Sequence, residues 1–238
     1  GLYGLIRAYK TTTERSKVMI KKHLEKLQFI SNQNREKMDN VPKVDVRLFD
    51  FNPPEYERQV KTAEEYKEKV KAQTTEQLNK LYSEISEDKN EVKNKIHKTK
   101  YPLDSYYTSE FKTRALITKQ RAESLALGSD KNWSLVSNFL DKEIQNNDVD
   151  FLSAFSDALK LNTTIPNEFR KEVNEKLKGF ESKLGLDKLN NEAAAYDKLI
   201  EMGKVYSRMT DDYTDPSYKL EGSYIKNEIQ QLAGEAVS

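Results

Sequence analysis

Histidines and clustered carboxylates are the side chains of this sequence that could bind a metal ion or transfer protons. His23 and His97 lie far apart, and neither has the second histidine and carboxylate of an H-E-x-x-H site. Asp211, Asp212 and Asp215 lack the alternating oxygen ligands and central glycine of a helix-loop-helix calcium site, so a capped turn is the favoured interpretation. We therefore predict packing or exposed histidines, no metal site and no cofactor.

Glycine-containing catalytic motifs are also missing from the sequence. It contains no G-x-G-x-x-G, G-x-x-x-x-G-K or G-x-S-x-G pattern and no cysteine. The 39 acidic residues are spread along predicted helix surfaces, so no catalytic pair can be selected among them. We predict that the protein is not an enzyme, with carboxylate catalysis as the weakest alternative.

A stretch near the middle of the chain combines positive charge with tyrosine rings. Lysines can pair with phosphates, and tyrosines can stack on unpaired bases, so the stretch could contact nucleic acid. The more conventional interpretation is a helix C-terminus, where lysines complement the helix dipole. The candidate contacts are Lys93, Lys95, Lys98, Lys100, Tyr101, Tyr106 and Tyr107.

These lysines lie at the end of one long, charged helix predicted over residues 52–98. Pro53 and Pro54 occupy helix-start positions, where a missing N–H costs little. About 45 residues at 1.5 Å each give a rod of roughly 70 Å. Apolar residues recur at helical spacing in a narrow stripe whose register changes near residues 72–75, which predicts a bend or skip there. The stripe is expected to contact partner subunits through Leu78, Leu81, Ile85, Val92 and Ile96.

Residues 41–51 show a different periodicity. Apolar side chains alternate with charged ones, which is typical of extended backbone. Because no second strand is evident, we predict an extended arm that drapes over another subunit. Its expected anchors are Val44, Val46, Leu48, Phe49 and Phe51.

The remaining sequence reads as helices separated by short polar turns. We predict a basic helix over residues 14–38 and further helices over 109–127, 130–146, 148–159, 166–184, 186–209 and 221–236. The densest apolar stretch surrounds Phe151, Phe155 and Leu159, where we place the core. The predicted fold is all-α, an elongated multi-helix bundle with one long helix and an extended N-terminal arm. Three segments are expected, over residues 1–51, 52–100 and 101–238.

Composition limits the class of function. Apolar residues make up 36%, charged residues 33%, and the formal net charge is +1, so the whole chain is not a general polyanion binder. The sequence starts at Gly1 rather than Met, which indicates cleavage, trimming or an artificial boundary. The absence of cysteine favours a reducing compartment or a virion. The Lys-, Glu-, Asn- and Tyr-rich composition resembles that of assembly subunits of low-GC bacterial viruses.

That resemblance implies a structural subunit of an oligomeric assembly, such as a head, connector or tail component of a bacteriophage virion. The expected partners are other protein subunits, in a homo-oligomer or a larger complex with coiled-coil contacts. Nucleic-acid binding through the Lys93 to Tyr107 stretch is the alternative function. No run of about 18 apolar residues occurs, so we predict no membrane-spanning segment. Membrane binding by the basic helix is disfavoured, because its apolar line is narrow and carries no tryptophan.

Overall fold

The computed structural model describes residues 2–105, 109–127, 133–163, 165–209 and 216–237. Within these ranges the backbone forms helices and no β-strand, so the all-α prediction is confirmed. The long helix is confirmed as well, with 48 residues. The helices are α1 Leu2–Asp39, α2 Leu48–Phe51, α3 Pro53–Lys100, α4 Ser109–Leu127, α5 Trp133–Asn146, α6 Val149–Leu161, α7 Asn167–Lys183, α8 Leu186–Met209 and α9 Pro216–Val237, with a 3₁₀ turn at Pro102–Ser105.

The chain divides into two compact units. Unit 1 comprises Gly1–Asn90 and Asn191–Ser238, and unit 2 comprises Glu91–Asn190. The divisions fall inside α3 and α8, whereas the predicted segments ended at residues 51 and 100. The difference arises because a helix contributes to a core wherever its apolar stripe is covered, so its ends do not mark the limits of a compact unit.

In unit 1, α1 and α3 pack antiparallel to each other. The Lys26 Nζ donates to Glu84 Oε2 at 2.6 Å, and farther along α1 the Thr74 hydroxyl donates to Asn34 Oδ1 at 3.0 Å. Between these two pairs the residue numbers rise along α1 and fall along α3, so the two helices run in opposite directions. The helix is continuous through residues 72–75, where a bend or skip was predicted, and Thr74 is buried there.

Two further helices complete unit 1 with the same alternation of direction. Lys198 in α8 pairs with Glu228 in α9 at 2.8 Å, and α9 also contacts α1. The ion pair between Lys89 and Asp197 joins α3 to α8. Tyr82 of α3 also lies beside Gly203 of α8, and Tyr206 of α8 beside Gly222 of α9, so residue numbers run in opposite directions in both pairs. The described parts of α1, α3, α8 and α9 therefore form an antiparallel four-helix arrangement.

The buried hydrogen bond between Asn34 and Thr74 leads to a prediction about unit 1. Thr74→Val is expected to lower the free energy of unfolding by about 1 kcal/mol, because it leaves the buried Asn34 amide oxygen without its donor. The double variant Asn34→Leu/Thr74→Val should lose less than the sum of the two single variants. Urea denaturation followed by circular dichroism measures both. Thr62→Val, at an exposed position of α3, is the control, and an equal loss there would contradict the prediction.

Unit 2 is built around α6. The Asp148 side chain caps this helix by accepting from the Phe151 N–H at 3.1 Å. The predicted core residues Phe151, Phe155 and Leu159 are at most 2% exposed, which confirms the core position. Around α6 lie apolar side chains of α4, α5 and α7, among them Ala122, Leu140, Phe169, Val173 and Leu177.

Candidate interaction surfaces

The predicted extended arm, residues 41–51, connects α1 to α3 and is called the inter-helix segment below. Residues 41–45 form neither helix nor strand, but Leu48–Phe51 is one helical turn, so the extended prediction is wrong for that half. The reason is local: the Asp45 carboxylate accepts from the Arg47 backbone N–H at 3.1 Å and from Arg47 Nε at 2.9 Å. These bonds favour a turn over extended backbone.

The inter-helix segment exposes several of its predicted anchors. Val46 is 72% exposed, Phe49 62% and Phe51 86%, whereas Val44 and Leu48 are half-buried. The segment rests on α3 at its edge, where the Phe49 ring meets Tyr56 edge to face with centroids 5.4 Å apart. Three large apolar side chains within six residues therefore face solvent in the single chain, which is unusual for surface residues.

The predicted contact residues of the long helix are placed differently. Leu78, Leu81, Ile85 and Val92 are at most 3% exposed within the single chain, and Ile96 is half-buried. The part of the stripe in unit 1 is covered because α1 and α8 pack on α3, and Val92 is buried in unit 2. The stripe is thus part of the chain's own core, and these side chains are not available to another subunit.

The predicted nucleic-acid patch is split by the structure. Lys93, Lys95 and Lys98 are exposed on the last turns of α3. Lys100 instead donates to both carboxylate oxygens of Asp157, at 2.6 and 2.7 Å, and the Tyr101 hydroxyl donates to Asp157 Oδ2 at 2.7 Å. Lys100 and Tyr101 therefore link the end of α3 to α6 within unit 2. The other two predicted contacts, Tyr106 and Tyr107, lie outside the described residues.

The environment of Tyr101 predicts a pH dependence. Burial, followed by the hydrogen bond to Asp157, raises the pKa of Tyr101 well above its ordinary value of 10.0. Its contribution to stability is complete below pH 10 and is lost as the pH rises further, because only the unfolded state then releases the proton. The free energy of unfolding should fall above about pH 10, and Tyr101→Phe should make the decline shallower. Urea titrations across this range measure both slopes. Tyr224→Phe, at an exposed position, should keep the full decline, and identical slopes for both variants would contradict the prediction.

The two histidines occupy different environments. His23 is 2% exposed, its Nε2 lies 2.5 Å from Asp88 Oδ2, and its ring meets Tyr196 edge to face. His97 is exposed at the end of α3 and lies beside the Tyr101 ring. Neither belongs to a group of three potential metal ligands among the residues with described positions. The acidic group Asp211, Asp212 and Asp215 lies outside those residues.

An open groove between α4, α5 and α6 was missed by the sequence reasoning. Its α4 wall consists of Ile117, Gln120, Arg121, Ser124 and Leu125. These positions follow the three- and four-residue spacing of one helix face, so periodicity could have identified the face. This face contains both polar and apolar residues, so it does not form the continuous apolar stripe from which a helix face is predicted.

The described residues thus form an all-α protein with an exposed inter-helix segment, three exposed lysines at the end of α3 and a groove of mixed polarity between α4, α5 and α6. No protein-family model, curated protein or solved structure matches the chain. Among the helices in the described ranges, none combines the length and apolar character needed to cross a bilayer.

Proposed function

We propose that this chain is a non-enzymatic assembly subunit that binds a second copy of itself through the inter-helix segment. The observation that carries the proposal is the exposure of Val46, Phe49 and Phe51 within six residues. Burying large apolar and aromatic side chains is the main source of free energy in protein association, and aromatic anchors dominate many interfaces.

The charge of the segment supports a second copy as its partner. Lys43 and Arg47 balance Asp45 and Asp50, so the segment has no net charge. The Arg47 guanidinium also lowers the pKa of Asp45, which favours the charged form of this carboxylate. The whole chain has a formal net charge of only +1. Two copies therefore approach each other without strong electrostatic repulsion.

The setting of this assembly follows from composition alone. The Lys-, Glu-, Asn- and Tyr-rich character favours a subunit of a bacteriophage virion, in the head, connector or tail. Self-association through a surface segment is the property that such a subunit requires, so the two inferences agree while resting on separate observations.

Light scattering over a range of protein concentrations tests the proposal. The wild-type chain should exceed its monomer mass of 27.6 kDa as concentration rises, and the mass should be insensitive to salt because apolar contacts drive association. The double variant Val46→Ser/Phe51→Ser should weaken self-association at least about tenfold. Phe49 is left intact in this variant because its ring contacts Tyr56.

A matched control separates the segment from apolar exposure in general. Phe29 on α1 is 61% exposed, and Phe29→Ser should leave self-association unchanged. A wild-type chain that stays monomeric up to about 100 μM would reject the proposal. So would an equal effect of the control and of the double variant.

Nucleic-acid binding is a second candidate, which the exposure of Lys93, Lys95 and Lys98 favours. From Val92 to Lys100 the sequence contains four lysines and no acidic residue, so positive charge is concentrated at this end of α3. Pairing with Asp157 occupies Lys100 and Tyr101, which reduces the predicted stacking platform. The three exposed lysines can contact phosphates but offer no recognition of bases.

Fluorescence anisotropy with a single-stranded oligonucleotide tests this candidate. Three phosphate contacts to a single strand predict that affinity falls about twentyfold between about 50 and 200 mM salt. Replacing Lys93, Lys95 and Lys98 together with alanine should remove that dependence. The control replaces the exposed α3 residues Lys61, Lys67 and Lys69, which alternate with acids, and should retain binding. Absent or salt-insensitive binding would reject nucleic acid as a partner.

A further inference from the structure

The open groove of unit 2 has the size of a small-molecule site. The groove has a volume of about 520 Å³, which lies within the range of roughly 300–1,000 Å³ typical of ligand pockets. One face of α4 forms a wall, and the rings of Phe139 from α5 and Phe151 from α6 form the apolar side. Because Phe151 also belongs to the buried core cluster, this side of the groove is anchored in the packed part of unit 2.

Polar groups in the groove are concentrated on α4. Gln120, Arg121 and Ser124 contribute an amide, a guanidinium and a hydroxyl, and all three are exposed. Among the described residues, no carboxylate forms an ion pair with Arg121. A guanidinium can bind a carboxylate through two parallel hydrogen bonds, and this geometry makes arginine well suited to planar anions.

Ile117 and Leu125 continue the apolar surface along α4 on either side of these polar groups. Ile117 is 51% exposed, and Leu125 is half-buried. An occupant with an apolar body would cover Ile117 and Phe139 and would leave its charged end beside Arg121. Such a molecule satisfies both the apolar surface and the positive charge of the guanidinium.

We propose that this groove binds a small amphipathic carboxylate, with the apolar chain against Phe139 and Ile117 and the carboxylate paired with Arg121. The site lies wholly within unit 2 and does not depend on the self-association proposed above. Arg121 determines the preference for an anion, and the aromatic side of the groove determines the preference for an apolar chain.

Calorimetric titration with decanoate, hexanoate and decanol tests both parts of the site. Decanoate should bind more tightly than hexanoate by about two- to fourfold for each methylene, because each methylene buries apolar area. Decanol should bind about tenfold more weakly than decanoate, because it lacks the charge that pairs with Arg121. The shift of the Ile117 methyl resonance on addition of decanoate places the ligand in the groove.

Three variants make the test specific. Arg121→Gln should weaken decanoate binding about tenfold and leave decanol binding unchanged. Lys119→Gln removes the same charge from another exposed position of α4 and should have no effect. Ser124→Trp fills the groove from an exposed position and should abolish binding, while circular dichroism checks that the helices are retained.

Several results would overturn the proposal. If decanoate does not bind at about 1 mM, the groove is not a binding site for it and the proposal is rejected. If decanol and decanoate bind equally well, or if Arg121→Gln binds decanoate with unchanged affinity, Arg121 does not recognise the carboxylate. An Ile117 methyl resonance that shifts with protein concentration and not with decanoate would make the groove a contact between copies of the chain instead.

Discussion

Phe155→Ala is expected to lower the free energy of unfolding of unit 2 by about 3–5 kcal/mol. Phe155 is completely buried, and its ring stacks on that of Phe151 with centroids 6.4 Å apart. Removing the ring loses its transfer free energy and leaves a cavity, because helices on several sides hold the surroundings in place. Urea denaturation followed by circular dichroism measures the loss.

The same helix offers a control for Phe155→Ala. Leu161, the last residue of α6, is 84% exposed, and Leu161→Ala should change stability by no more than about 0.5 kcal/mol. Comparable losses in the two variants would show that α6 is not the centre of unit 2 and would contradict the packing described above.

Gly203→Ala is expected to destabilise unit 1 by about 1–3 kcal/mol, although alanine favours helix formation over glycine. A Cβ at position 203 would lie 2.7 Å from the Tyr82 hydroxyl oxygen and closer still to the ring, so the Tyr82 side chain would have to leave its present position against α8. The absence of a side chain at Gly203 permits the close approach of Tyr82 to α8. Thermal and urea unfolding both report the change.

Gly179 in α7 is the matched comparison for Gly203. A Cβ added there would meet no atom within 4 Å, so Gly179→Ala should stabilise the chain by about 0.5–1 kcal/mol through helix propensity alone. The two substitutions should therefore have opposite signs. The double variant Gly203→Ala/Tyr82→Leu should recover part of the loss, since the shorter side chain makes room. Stabilisation by Gly203→Ala alone would contradict the proposed contact with Tyr82.

Local features of the sequence were sufficient to predict most helices. The predicted limits of α8 match the structure, and Gly185 ends α7 with a positive φ of 72° as its position indicated. These features are local because caps, glycines and apolar spacing act within a few turns. The first helix was predicted to start at residue 14, because Thr11, Thr12 and Thr13 are typical of helix starts, whereas α1 begins at Leu2.

The partners of each helix could not be predicted in the same way. The stripe containing Leu78 and Ile85 looked too narrow for a monomer because α3 was interpreted alone. In unit 1 α3 contacts α1 through Lys26 and Glu84 and contacts α8 through Lys89 and Asp197, and these partners lie far away in the sequence. The pairing of Lys100 with Asp157 was hidden for the same reason, since spacing within a helix carries no information about a distant helix.

The two units also differ in the stage of synthesis at which they can fold. Unit 2 is one continuous stretch, Glu91–Asn190, whereas unit 1 combines Gly1–Asn90 with Asn191–Ser238. During synthesis, all of unit 2 has emerged before α9 exists, so its core can form while α1 and α3 still lack their final neighbour. Closing unit 1 then brings α1 against α9 across a long stretch of sequence, a contact of the kind that slows folding. The contact between α1 and α9 can therefore form only after the whole of unit 2 has been synthesised.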